Sequence, residues 1–370
     1  VSAPSALGRT FSGVSRDDGR VGVRDNVLVL PSVICSHIVA DRIAARVDGA
    51  VSTPHDHGCA QLGADNEQTR STFLSLAQNP NVAGTVVVGL GCEEVQSSDV
   101  AGALDARGVA VRELSIQGVG GTDECVERGV EAASELVDAR LGARADAGVG
   151  DLTLGIVSSD LDASTVDVAD PLVGEVARSV IDAGGRVVVA GNERVVAHPE
   201  EARAATAEAA HGAMDDLLDG HDGQPPRATR VGGFARERSF EEVTRSWGAG
   251  EVSEVLAYGD RSSLSSGLAV VDAPSRFAEA TTALAAAGAN VVVHVTGDGI
   301  PAGHPIVPVV KVTGDPATAA ALPNDVDVVA TTADADDLLG TLIDVANGEP
   351  CRAEEHGLTE FAITRVGPST

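Results

Sequence analysis

Short runs of Val, Ile and Leu alternate along this chain with Ala-rich amphipathic stretches. In the first half the pattern predicts strands at Asn26–Ile34, Ala50–Thr53, Thr85–Leu90 and Val109–Ile116. Helices are predicted between and after them, at His37–Val47, Gln68–Gln78, Val100–Arg107 and Asp123–Leu141. Continuous apolar runs bounded by turn residues, with helical periods between them, are the signature of parallel strands buried on both faces. The second half repeats the logic. Strands are predicted at Leu152–Val157, Arg186–Ala190, Leu268–Val271, Asn290–Val295, Val307–Val312 and Val326–Ala330. Helices are predicted at Pro171–Ala183, Pro199–Leu218, Phe277–Ala287 and Asp334–Ala346. Small and polar residues at Ala143–Gly150 predict a linker, and Asp219–Thr229 reads as a surface loop. The expected fold is α/β, with two Rossmann-like or flavodoxin-like parallel-sheet domains over residues 1–148 and 149–370. The length of 370 residues fits two domains.

Charge narrows the classes of function. Asp and Glu number 55 against 26 Lys and Arg, a formal net charge of -29. Such a field repels phosphate backbones and anionic lipid, so nucleic-acid and membrane-surface binding are not expected. Lys311 is the only lysine; every other cation is Arg. Excess carboxylate with almost no lysine resembles proteins of a high-salt cytoplasm, where dense salt screens self-repulsion. Five cysteines in so long a chain do not suggest a disulfide scaffold. The first twenty residues carry no apolar core of a signal peptide, and no apolar run approaches the roughly 18 residues of a membrane span. The expected location is the cytoplasm.

In parallel sheets ligands lie beyond the carboxyl ends of the strands, so the strand-end loops carry the chemistry. Thr53–Gly63 (TPHDHGCAQLG) holds two His, an Asp and a Cys, all metal ligands or proton-transfer groups, without zinc-finger spacing. Gly89–Glu93 (GLGCE) begins like a dinucleotide fingerprint, but Glu94 stands where the third Gly would be. Ile116–Thr122 (IQGVGGT) is a Gly-rich entry to a helix, where backbone amides can receive a carboxylate. Three such loops on three successive strands point to one site.

Together these residues resemble the altronate/galactarate dehydratase family of sugar-acid hydro-lyases, which includes the large subunit of sulfolactate sulfo-lyase. The resemblance runs from Arg16–Asn26 and Cys35 through His55-x-x-Gly58-Cys59, Gln61, Asn79–Gly84, Gly89–Glu93, Gln117 and Gly120–Thr122. It continues through Pro171–Gly185 to Gly297–Lys311. The second half departs from the family pattern. Val157–Asp160 reads VSSD where a Cys-Gly-Gly-Ser-Asp motif is usual, so the third Cys is replaced by Ser158 or deleted, and Asp298 stands for an Arg.

The resemblance implies dehydration of a hexonate or hexarate to a 2-keto-3-deoxy acid, with a divalent metal, Fe2+, as cofactor. It implies His55 and Glu93 as catalytic residues and Cys59, Cys92 and His55 as metal ligands. Gln117, Gly120, Gly121 and Thr122 are the expected substrate-carboxylate residues, with Arg20, Arg24 and Arg70 supplying positive charge. His57 ranks below His55, and His198, His211, His294 and His304 are expected to be surface or satisfied histidines. The expected partners are the sugar acid, a small β-rich SAF-domain subunit and further copies of the chain. Two other readings stay open: a lyase on another small 2-hydroxy acid such as sulfolactate, and a non-catalytic paralogue acting as a binding or partner subunit.

Overall fold

The computed structural model describes residues 8–59, 61–140, 142–222 and 230–366. The chain order of strands is β1 (Thr10–Ser15), β2 (Val21–Gly22), β3 (Asn26–Pro31), β4 (Ala50–Ser52), β5 (Val82–Gly89), β6 (Val111–Ser115) and β7 (Arg144–Gly148). Then follow β8 (Thr153–Ser158), β9 (Arg186–Val189), β10 (Val252–Leu256), β11 (Gly267–Val271), β12 (Val291–Val295), β13 (Val309–Thr313) and β14 (Val328–Val329).

Two parallel sheets dominate, as the Val-rich runs predict. The first has the order β4-β3-β5-β6, and the second the order β10-β11-β9-β8-β12-β13-β14. Strands β3, β5, β8, β9 and β12 are buried almost throughout, because helices cover both faces and leave no solvent side to call for alternation. The strand order reverses between β3 and β5 in the first sheet and between β8 and β12 in the second. Beyond the carboxyl ends at such a reversal the neighbouring crossovers diverge and leave a crevice. One apolar core joins the sheets: Leu28, Leu30, Phe73 and Val87 of the first pack with Val188, Ala269, Leu284 and Val292 of the second.

The structure corrects the pattern in three places. The expected linker Ala143–Gly150 is largely strand β7, which pairs antiparallel with β1 in a third sheet, β2-β1-β7. Its short, polar sequence hides it, since backbone pairing writes no apolar period. Phe11 and Ala147 of this sheet, and Val23 just after β2, join the core of the second parallel sheet. Pro199–Leu218 is broken into helices Pro199–Ala204 and His211–His221, with a single turn of 3-10 helix at Glu208–Ala210. Strand β10, unpredicted, forms the far edge of the second sheet. Of the expected loop Asp219–Thr229, residues 223–229 lie outside the described residues.

Candidate active site

Parallel strands present their carboxyl ends together, and the first sheet gathers its motif loops there. The Ile34 N–H donates to the His57 carbonyl at 2.9 Å, Glu94 N–H to Gly58 at 3.2 Å and Gln117 N–H to Leu90 at 3.1 Å. Gly58 has φ 89°. A Cβ there would overlap the Ser32 carbonyl, so only glycine lets the loop after β4 lie against the loop after β3. Cys35, Cys59 and Cys92 sit on these adjoining loops, all three exposed and unpaired.

His55 is engaged on both sides of its ring. Its Nε2 lies 2.6 Å from the Pro31 carbonyl, and its Nδ1 accepts the His57 N–H at 3.1 Å. Nε2 therefore carries the proton, and the ring is neutral. The ring lies 4.9 Å from Phe73 and 6.3 Å from Phe361, and burial pushes its pKa down to about 4. His57 is held as firmly: its Nε2 donates to the Ile363 carbonyl at 3.0 Å and its Nδ1 accepts from Gln61 at 2.7 Å. Burial also lowers the His57 pKa. These contacts fix the loop and occupy both nitrogens of the His55 and His57 rings. Among the described residues no three His, Cys, Asp or Glu side chains are placed to hold a metal ion. The expected His55–Cys59–Cys92 ligand set does not fit this arrangement.

Glu93 is buried and organises the turn that bears Cys92. Its Oε2 accepts from the Gly91 and Cys92 amides at 2.6 and 2.9 Å, and its Oε1 from the Ser32 hydroxyl at 3.0 Å. Burial alone would raise its pKa, but these donors hold it below the usual carboxylate range. It stays ionised as a fixed acceptor for the turn that bears Cys92. Gln117 lies against Gly91, and Gly120 and Gly121 turn the chain into helix Thr122–Asp138 with φ of 99° and 128°. Asp123 and Glu124 occupy that helix's first turn, so an incoming carboxylate meets like charge there.

The expected cations are placed differently. Arg20 is buried, with Nη2 donating to the Ser262 carbonyl at 2.8 Å. Arg24 forms a two-pronged pair with Glu354 at 2.8 and 2.7 Å and also donates to the Val345 carbonyl at 2.8 Å. Both tie the N-terminal segment to the second half of the chain and are absorbed in that work. Arg70 is exposed on helix Ala64–Leu76. Ser158 ends β8 in the second sheet, where its hydroxyl donates to Asp170 at 2.7 Å. It is therefore not on the loops that carry the cysteines. Burial raises the Asp170 pKa to about 7, and its Oδ2 has no hydrogen-bond partner among the described residues.

At the reversal of the second sheet lies a crevice of about 590 Å³. Ser159 and Asp160 after β8, Glu193 after β9, Arg276 and Phe277 after β11, and Asp298 after β12 line it. From this wall inward, three side chains distant in sequence come together. Lys311 Nζ lies 2.9 Å from His294 Nδ1, and His294 Nε2 meets the Ser159 hydroxyl. His294 and Lys311 are wholly buried. The expectation of an ordinary satisfied histidine at 294 missed its neighbours, which lie on separate strands. The one available signal was that the chain's only lysine falls inside a Val-rich strand.

The C-terminal segment joins the two places. Glu360 and Ala362 border the crevice, Phe361 lies 5.7 Å from His304 and 6.3 Å from His55, and the Ile363 carbonyl receives His57.

A doubly wound sheet with a crevice at its reversal, joined to a second parallel sheet with thiols and imidazoles at its strand ends, defines an α/β protein of the small-molecule-binding class. Within that class the chain belongs to the D-galactarate/altronate dehydratase family. The model "D-galactarate dehydratase/Altronate hydrolase, second domain" matches residues 13–140, and "D-galactarate/Altronate dehydratase, C-terminal" matches residues 233–369. Altronate dehydratase of Bacillus subtilis is 31% identical, over 97% of this chain and 78% of the relative. The (2R)-sulfolactate sulfo-lyase subunit beta of Chromohalobacter salexigens is 29% identical, over 97% of this chain and 98% of the relative. Altronate dehydratase of Escherichia coli is 28% identical, over 95% and 77%.

Proposed function

We propose that the chain is a hydro-lyase that removes water from a sugar acid such as altronate or galactarate and releases a 2-keto-3-deoxy acid. The observation that carries this reading is the similarity to altronate dehydratase over 97% of the chain, motif loops included. The crevice at the sheet reversal is of a size for such a ligand. The chemical task is to remove a proton next to a carboxylate and then to expel a β-hydroxyl, which needs acid assistance because hydroxide is a poor leaving group.

The test is a panel of hexonates and hexarates, assayed for 2-keto-3-deoxy products with and without ferrous iron under anaerobic conditions. Turnover of one member is expected. Failure across the panel would overturn the reading and favour a non-catalytic role. A second reading, C–S cleavage of a small 2-hydroxy acid, draws support from the match to 98% of the sulfo-lyase subunit, so (2R)-sulfolactate belongs in the panel with sulfite release as its readout.

A partner subunit is part of the proposal. That relative is named as a subunit, and Ile34, Ile38 and Leu62 are exposed beside Cys35 and Cys59, an apolar edge suited to burial against another chain. A small SAF-domain subunit or a further copy of this chain would serve, and co-purification from the native source distinguishes them. A reducing cytoplasm fits the three exposed free thiols, and a high-salt interior fits the acid excess. Among the described residues no helix is long and apolar enough to cross a membrane.

A further inference from the structure

We infer that Lys311, His294 and Ser159 form a proton relay that delivers a proton from a buried amine to the ligand in the second-sheet crevice. The relay rests on the hydro-lyase reading for its substrate, but its existence can be tested without turnover.

The three groups stand in line on adjacent elements. β13 carries Lys311, β12 carries His294 opposite it in register, and Ser159 follows β8, which pairs with β12 on its other side. The Ser159 N–H bonds the Val295 carbonyl at 3.0 Å, so the hydroxyl is fixed where β8 gives way to the crevice wall. Phe277 closes the other flank: its ring centre is 4.6 Å from that of His294 and 3.9 Å from Lys311 Nζ.

The chemistry follows from who can donate to whom. A protonated Lys311 can only donate, so His294 Nδ1 must accept. The His294 proton then sits on Nε2 and points at the Ser159 oxygen. That oxygen is occupied as an acceptor, which turns the Ser159 O–H toward the crevice. With Lys311 neutral the order can reverse, and Ser159 then presents lone pairs instead. The state of one buried amine thus sets whether the crevice wall offers a proton. Arg could not serve here, because it does not lose its proton in proteins, and lysine can. In a chain whose other cations are all Arg, the one lysine occupies this place.

Burial pushes the Lys311 pKa down to about 7, opposed by Cys351, Asp327 and Glu360. These face it, with His294, from the elements packed around β13. Burial and Lys311 together keep His294 well below its ordinary value, so it passes protons as a neutral ring. In the elimination step the C–O bond to the β-hydroxyl breaks as the enediolate electron pair closes to a C=C bond. The C–O electron pair leaves on oxygen and takes the Ser159 proton, giving water. Ser159 recovers its proton from His294 Nε2, and His294 Nδ1 takes one from Lys311. Solvent entering after product release reloads the neutral amine. Ser159 is the group that touches substrate; His294 and Lys311 act through it.

The test uses the fact that Lys311 is the only lysine. Protein labelled with 15N-lysine gives a single side-chain signal, expected to titrate near pH 7 and to move when His294→Gln removes the ring. A titration near the ordinary value of about 10.4, or one indifferent to His294→Gln, would overturn the relay. On the sugar acid found by the panel, Ser159→Ala is expected to lower kcat about 100-fold or more, with KM changed less than threefold. Ser159→Thr, which keeps the hydroxyl, should recover much of that loss. Lys311→Arg should remove the fall in rate above pH 7 while lowering the plateau. Parent-like kcat in Ser159→Ala would also overturn the relay. If the parent turns over no sugar acid, the hydro-lyase reading fails, while the lysine titration still decides whether the proton path exists.

Discussion

At the scale of single residues, burial decides the chemistry of the histidines. His55 titrates at about pH 4 in the fold, against 6.5 in an unfolded chain. A depressed histidine contributes stability that is present above pH 6.5 and is lost as pH falls toward 4, because the unfolded chain takes up the proton first. The shift corresponds to something on the order of 3 kcal/mol. We therefore expect the urea midpoint to fall between pH 7.5 and pH 5. In His55→Leu, which has no acceptor and no titrating group, stability should start lower, by about 1 to 3 kcal/mol for the acceptor lost to the His57 amide, and then fall less steeply. Parent-like stability combined with lost iron binding in that variant would instead restore His55 as a ligand. The sequence shows that a histidine follows β4. It does not show that Pro31 and His57, on the backbone around it, fill both of its nitrogens.

At the scale of elements, the loops of the first sheet hold together through close backbone approach. Gly58 is the hinge of that arrangement, with a left-handed φ and the Ser32 carbonyl where a side chain would be. Gly58→Ala should cost at least about 2 kcal/mol, part of it the left-handed conformation itself. It should also free residues 55–62 to limited proteolysis while the second sheet keeps its protection. Cleavage no faster than in the parent would show that the loop tolerates the change. The HxxGC pattern was legible as a motif, but the need for glycine comes from the Ser32 carbonyl just beyond β3, a separation no local pattern encodes. The same limit hid β7, whose partner β1 lies at the other end of the first half.

At the scale of the whole molecule, a net charge of -29 meets one shared core. Self-repulsion of that size weakens a compact state when screening is poor. The Debye length shrinks from about 10 Å at 0.1 M salt to about 3 Å at 1 M. We expect Tm to rise steadily between 0.1 and 2 M KCl; a flat or falling Tm would mean that the carboxylates are already balanced by local pairing.

By itself the sequence determined the two parallel sheets and the motif loops at their strand ends. Burial on both faces writes an uninterrupted run of Val and Ile, and turn residues mark where each run stops. It also determined the family, because those loops keep their residue order. Only the tertiary structure decided what each polar group does. Arg20 and Arg24 look like free cations near a site until Ser262 and Glu354, hundreds of residues away, are seen to hold them. His294 and Lys311 look like isolated residues in apolar strands until parallel register places them 2.9 Å apart and lines them up with Ser159. The reason is physical: apolar burial is recorded locally, in the period of each segment. The partner of a polar atom is fixed by strand order and register, which form only when distant segments pack.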